Sequence, residues 1–146
     1  MLLDGCARDE FSGPDVDDIR EAVFRHQFEL NASGAGSDVG ARCIGVGDRA
    51  QDPSETFLAR FVGIVPPVLK STDCAMDQTR THLVVVASGQ PALRFNCAEI
   101  HRRWDGSVDA EGGFYAGNLS ASGNEYRLKK VNGKWIVVSD KVNWVA

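Results

Sequence analysis

Residues 111–138, EGGFYAGNLSASGNEYRLKKVNGKWIVV, carry the most regular pattern in the chain. Runs rich in strand-forming residues are separated by turn residues, which indicates three strands joined by two turns. Asn132-Gly133 is a preferred dipeptide for a two-residue hairpin loop, because both residues tolerate a left-handed backbone. We therefore predict that residues 124–131 pair antiparallel with residues 134–139.

The predicted loop at Asn132-Gly133 also determines which side chains lie opposite one another, because side chains alternate between the two faces of a strand. The expected pairs are Leu128 with Val137, Lys130 with Trp135, and Tyr126 with Ser139. All three pairs lie on one face, which carries the continuous apolar set and which we expect to be buried.

A second two-residue loop is predicted at Asp105-Gly106, another preferred hairpin dipeptide. This loop places Glu99 opposite Gly112 and His101 opposite Ala110. The adjacent glycines at 112 and 113 predict a bulge or a sharp bend that lets the sheet curl.

A long helix is predicted before the strands, from Pro14 to about Asn31. Acidic residues crowd its first turn, where the helix dipole favours negative charge. Val16, Ile19 and Val23 recur at helical spacing and form its apolar face. A second helix begins at Asp52-Pro53-Ser54-Glu55 with Asp52 as its cap, and ends near Gly63. The remaining predicted strands are 41–46, 68–74, 83–88, 93–104 and 107–116.

This order of elements indicates one α+β domain over residues 14–146, preceded by a flexible tail at 1–13. The predicted fold is a curved antiparallel β-sheet meander wrapped over the long N-terminal helix. The expected core includes the residues Ile19, Val23, Phe57, Phe61, Leu128 and Val137.

The element order resembles the cystatin-like and nuclear transport factor 2-like folds, in which a curved sheet and a helix enclose a cone. The final strands resemble a group of uncharacterised bacterial proteins of that architecture, through Glu111-Gly112-Gly113-Phe114-Tyr115 and Gly133-Lys134-Trp135. The resemblance implies a cone-shaped pocket between helix and sheet. It implies no particular activity, cofactor or catalytic residue.

Composition excludes some classes of function. The net charge is −4 and the pI is about 5.3, which argues against nucleic acid as a partner, since phosphate binding requires a basic surface. The sequence contains no run of 18 apolar residues, so we predict no transmembrane segment.

The four cysteines, Cys6, Cys43, Cys74 and Cys97, contain no CxxC pair. In an oxidising compartment one disulfide and a buried thiol are expected, whereas in the cytosol all would be free. Residues 2–6, LLDGC, are similar to the end of a bacterial lipoprotein signal, although Asp4 departs from that pattern. The expectation is a cytoplasmic protein, with a periplasmic lipoprotein lipidated at Cys6 as the alternative.

The candidate ligand site lies between the first helix and the concave face of the sheet, without an assigned metal, cofactor or catalytic residue. Its predicted residues are Val23, His26, Gln27, Glu99, His101 and Phe114. His26, Glu99 and His101 together would form an acid/base group or, less favoured, a metal site. The favoured interpretation of Glu99 and His101 is a solvated strand end.

The predicted function is that of a non-catalytic module that binds a small apolar ligand or assembles with itself. The alternative is a cofactor-free lyase or isomerase that uses acid/base residues in the cone. We expect a homodimer through the second face of the sheet, where the predicted registers place Ile100, Tyr115, Ile136 and Val138, followed by the apolar run 142–145.

Overall fold

A computed structural model describes residues 13–30, 39–117 and 120–146. Two α-helices and eight strands follow in chain order: α1 Asp15–Leu30, β1 Ala41–Val46, α2 Glu55–Leu58, β2 Val68–Lys70, β3 Cys74–Met76, β4 Leu83–Val85, β5 Ala92–Arg102, β6 Val108–Gly117, β7 Ser120–Val131 and β8 Lys134–Val145. Short 3₁₀ helices at Ala59–Phe61 and Ser71–Asp73 flank β2. Most of the predicted tail lies outside the described residues.

Six strands form one sheet in the order β2-β1-β5-β6-β7-β8. The pairs from β5 to β8 are antiparallel, whereas β1 runs parallel to both β2 and β5. Strands β3 and β4 form a separate antiparallel pair. The predicted α+β class, with an N-terminal helix and a mostly antiparallel sheet, is therefore confirmed. The parallel pairs were not predicted.

The main core lies between α1 and the inner face of the large sheet. Five of the six predicted core residues, Ile19, Val23, Phe57, Phe61 and Leu128, are confirmed as buried. Val137 is only half-buried, because it lies on β8, which forms one edge of the sheet. The core is also rich in aromatic contacts. The ring centroid of Phe24 lies 6.0 Å from that of Phe57 and 6.1 Å from that of Phe61. Among the described residues, no helix is long and apolar enough to cross a membrane.

The Asn132-Gly133 hairpin forms as predicted. Both residues have positive φ, 51° and 77°, and Leu128 lies opposite Val137. Further from the turn the prediction is wrong by one residue, because β8 carries an extra residue, Val138, between Val137 and Ser139. Tyr126 therefore lies opposite Asp140 and not opposite Ser139, and β8 continues to Val145.

The predicted two-residue loop at Asp105-Gly106 is wrong. Arg103 N donates to Ser107 O at 2.8 Å, so the loop has three residues, 104–106, and Gly106 takes the left-handed conformation with φ 87°. One additional loop residue shifts the register and moves the β5 side chains next to the loop to the other face. His101 therefore lies opposite Asp109, and Ile100 lies opposite Ala110.

A bulge or bend was predicted at Gly112-Gly113, on β6. The irregularity lies instead in the neighbouring strand β5. Between Cys97 and Ile100, two β5 residues lie opposite the single β6 residue Glu111. Ile100 consequently lies in the core and not on the outer face where the dimer prediction placed it.

Three smaller boundaries also differ from the predictions. Ser54 caps α2 by accepting a hydrogen bond from Phe57 N, while Asp52 instead accepts from Thr72 N at 2.8 Å and Thr72 Oγ1 at 2.7 Å. A 3₁₀ turn divides the predicted strand 68–74 into β2 and β3, and β4 ends at Val85.

Replacing Leu128 with Ala should lower the free energy of unfolding by about 2–5 kcal/mol, because it removes a fully buried side chain from the core beneath α1. Chemical denaturation measures the change. The matched control is Lys129→Ala at the exposed neighbouring position, which should stay within about 0.5 kcal/mol of wild type. Equal losses in the two variants would contradict this assignment of the core face.

Candidate functional site

A cavity of about 170 Å³ lies between the C-terminal half of α1 and the inner face of strands β6 to β8. Its wall combines apolar side chains, a glycine backbone and several hydrogen-bonding groups. The lining residues are Gln27, Leu30, Gly113, Phe114, Ser122, Asn124, Tyr126, Asp140 and Val142. This mixture is typical of sites that bind a small molecule, in which a few polar groups set its orientation.

A chain of hydrogen bonds runs along the β7–β8 side of this cavity. Ser122 Oγ donates to Asn124 Oδ1 at 2.9 Å, and Asn124 Nδ2 donates to Asp140 Oδ1 at 2.7 Å. The other carboxylate oxygen of Asp140 lies 2.9 Å from His26 Nε2. Both Asp140 oxygens therefore have partners, and the carboxylate holds the imidazole of His26 in one orientation.

A second polar group closes the cavity at the α1 side. Gln27 Nε2 lies within hydrogen-bond distance of Asn96 O at 3.1 Å, Gly113 O at 3.2 Å and Tyr126 Oη at 3.1 Å, and these three acceptors share its two N–H groups. Gln27 is 2% exposed and Tyr126 is 3% exposed. Burial raises the pKa of Tyr126, so its hydroxyl keeps its proton well above neutral pH.

The glycines of β6 make this arrangement possible. A Cβ atom at Gly112 would collide with Asn96 O and would lie 3.1 Å from Gln27 Nε2. Gly112 therefore permits the close approach of the Gln27 amide to the sheet, which is a different role from the bend predicted for this position.

An open groove of about 640 Å³ lies on the other side of His26, between α1 and the start of β8. Aromatic and aliphatic groups of Trp135 and Val137 form part of its wall. Several of the charged side chains along α1 are already paired, since Arg25 bonds Glu21 at 2.9 Å and Arg60 bonds Asp18 at 2.9 Å. His26 lines this groove and Asp140 lines the smaller cavity. The His26–Asp140 pair therefore forms the boundary between the two.

The predicted site residues separate into two groups. Gln27 and Phe114 line the cavity, His26 lies at its boundary, and Val23 is buried in the core. Glu99 and His101 instead pair with each other at 2.8 Å, on the face of the sheet opposite α1. The structure does not bring them to His26, because the three-residue loop at 104–106 reverses the faces of the adjoining part of β5.

Sequence reasoning missed the β7 and β8 residues of the cavity. Asn124 and Tyr126 are two residues apart and so share a face, which is a detectable signal, but Tyr126 was considered as the cross-strand partner of Ser139 and not as a site residue. Asp140 was missed because the strand was expected to end at Ser139. No three His, Cys, Asp or Glu side chains gather as a metal site within the described residues.

No protein-family model, curated protein or solved structure matches this chain. The geometry of the cavity and its neighbouring surfaces is therefore the basis for any statement about function.

Proposed function

We propose that the protein is a non-catalytic module that binds a small molecule in the cavity between α1 and strands β6 to β8. The observation that carries this proposal is the convergence of Asn124, Tyr126 and Asp140 on a partly open cavity beside apolar side chains. An enclosed apolar cavity of about 150 Å³ can hold a molecule as large as benzene. A volume of about 170 Å³ therefore suits a ligand with roughly six non-hydrogen atoms.

The residues that line the cavity determine which chemical groups the ligand can carry. A purely apolar molecule would leave the polar groups of the cavity without water or a partner, which is costly. Leu30, Phe114 and Val142 provide apolar contact, whereas Asn124, Tyr126 and Asp140 present polar groups. The ligand that fits is small and partly polar.

Enlarging Val142, at the cavity rim, should block the ligand. In Val142→Phe the added ring occupies part of the cavity, so small ketones, amides and hydrocarbons that raise the melting temperature of the wild type should lose this effect. The measurement is a thermal-shift screen of compounds with about six non-hydrogen atoms.

The matched control is Val138→Phe. Val138 is 46% exposed and Val142 is 57% exposed, on the same strand, but Val138 does not line the cavity. The control should keep the wild-type ligand response. A wild type that responds to no compound, or two variants that respond alike, would contradict the proposal.

The second candidate is a cofactor-free lyase or isomerase, which the His26–Asp140 pair favours. A carboxylate bound to one ring nitrogen orients an imidazole and leaves the other nitrogen to accept a proton. Asp140 Oδ2 is hydrogen-bonded to His26 Nε2 at 2.9 Å. This leaves Nδ1 for a substrate in the groove between α1 and β8. In this candidate His26 is the base and Asp140 orients it.

This activity would speed the exchange of α-hydrogens of small ketones in deuterated water, followed by proton NMR. Wild type should exceed the rate in buffer, and His26→Asn should return the rate to that of buffer. The matched control is His82→Asn, since His82 also lies near a carboxylate, Asp77, at 3.5 Å but outside both the cavity and the groove. Equal rates for wild type, His26→Asn and buffer would favour the non-catalytic module.

A homodimer is the proposed assembly, with its contact at β8. This strand has a neighbour on one side only within the described sheet, and its exposed apolar residues are Ile136, Val138, Val142, Trp144 and Val145. The extra residues at Val138 and Asn143 interrupt the strand edge, so a contact would depend on side chains more than on a continuous ladder of hydrogen bonds. Tyr115 packs instead beside the Cys43–Cys74 region.

Sedimentation velocity at micromolar concentration should give about twice the 15.8 kDa mass of one chain. Trp144→Ser should shift the protein towards the single-chain mass, because it removes the largest exposed apolar group of β8. Trp104→Ser, which changes an exposed tryptophan in the 104–106 loop, should leave the mass unchanged. A wild-type mass near 15.8 kDa would contradict the proposed homodimer.

We also infer an oxidising compartment. Cys43 and Cys74 form a disulfide, and the buried Cys97 is free, with a pKa raised by burial to about 12. This pairing favours the periplasmic alternative over the cytoplasmic expectation, since cytosolic thiols are kept reduced. Mass spectrometry of alkylated, unreduced protein measures the pairing directly. Cys6 lies outside the described residues.

The cystatin-like or nuclear transport factor 2-like cone remains the proposed finer fold. Its support is the 16-residue α1 that packs across β5, β6 and β8, together with the irregularity in β5 that bends the sheet beside it.

A further inference from the structure

We propose that the ligand of the cavity is an uncharged carbonyl compound, such as a small ketone or amide, held by a hydrogen bond donated by the Tyr126 hydroxyl. This inference rests on the proposed binding function of the same cavity and names the chemical class of its ligand.

The orientation of the Gln27 amide determines the role of Tyr126. Asn96 O and Gly113 O are backbone carbonyls and can only accept, so the side-chain atom of Gln27 that faces both must be the amide nitrogen. That nitrogen also lies 3.1 Å from Tyr126 Oη, which therefore accepts. The hydroxyl proton of Tyr126 remains available for donation.

The described residues provide no acceptor for this proton. Tyr126 is 3% exposed, so bulk water does not provide one freely either, and a buried donor without an acceptor is costly. Tyr126 lies in the cavity wall, where a ligand oxygen would accept from it. A ligand that carries an acceptor oxygen therefore pairs with the Tyr126 hydroxyl.

The remaining polar groups restrict the type of oxygen. A carboxylate ligand would place a second negative charge beside Asp140, which is unfavourable in a buried site. An ammonium group offers no acceptor to Tyr126. A hydroxyl would bring a proton of its own that also needs an acceptor, and each of Asn124 Oδ1 and the two Asp140 oxygens already has one hydrogen-bond partner. A carbonyl oxygen accepts and adds no donor.

Apolar contact holds the rest of such a molecule. Leu30, Phe114 and Val142 complete the wall, so a ring or short chain attached to the carbonyl would lie against carbon atoms. The size of the cavity matches cyclopentanone, which has six non-hydrogen atoms, as benzene does.

The test compares cyclopentanone with methylenecyclopentane, which has the same shape without the acceptor, and with cyclopentanol. Chemical-shift titration of the ¹⁵N-labelled protein gives each dissociation constant. Wild type should bind the ketone about three- to tenfold more tightly than the hydrocarbon, the range that one hydrogen bond provides. The carbonyl ¹³C resonance of bound cyclopentanone should move downfield.

Tyr126→Phe should abolish this preference and the ¹³C shift while the hydrocarbon still binds. The variant should fold, because the Gln27 amide keeps its two backbone acceptors. Tyr115→Phe, which changes a tyrosine outside the cavity, should retain the preference.

The outcomes separate this inference from the binding function. If no compound binds the wild type, the binding function fails and the carbonyl class fails with it. If ketone and hydrocarbon bind equally, if cyclopentanol binds most tightly, or if Tyr126→Phe keeps the ketone preference, the carbonyl class is overturned while binding in the cavity stands.

Discussion

The hydrogen bonds from Gln27 to the sheet are the interaction on which the rest of the arrangement depends. This side chain leaves α1 and donates to backbone carbonyls of two neighbouring strands, at Asn96 and Gly113. A buried amide must find partners, so these bonds determine the height and rotation of α1 above β5 and β6. They also favour glycine at position 112, where a side chain would collide with Asn96 O and crowd the amide.

The polar side of the cavity depends on one additional residue in β8. If the register set by the Asn132-Gly133 turn continued unchanged, Ser139 would lie opposite Tyr126. The extra residue at Val138 places Asp140 there instead, within 2.9 Å of His26 on α1. Because side chains alternate with a period of two, one inserted residue changes which groups meet α1. The His26–Asp140 pair is therefore a product of strand irregularity as much as of residue type.

Much of the architecture could be predicted from local patterns. The acidic first turn and apolar spacing predicted the helix α1, which is described over Asp15–Leu30. The apolar face of β7 and five core residues were also predicted correctly. The length of the loop at 104–106 was not predicted correctly. A left-handed glycine occurs in hairpin loops of two residues and in loops of three, so Gly106 did not distinguish them. That single ambiguity misplaced Ile100 and two of the six candidate site residues, Glu99 and His101.

The sequence by itself determined the long first helix, most of the strands, the tight turn at Asn132-Gly133 and the apolar faces, because these depend on backbone preferences and on periodicity within a few residues. Gln27, His26 and Phe114 were found as site candidates for the same reason, through their position on a predicted helix or strand face. Only the tertiary structure decided which of them meet Asn124, Tyr126 and Asp140. It also decided that β1 runs parallel to β5, and that Cys43 pairs with Cys74. These contacts join residues distant in the chain, and they depend on strand order and on single-residue shifts in register, which no local pattern encodes.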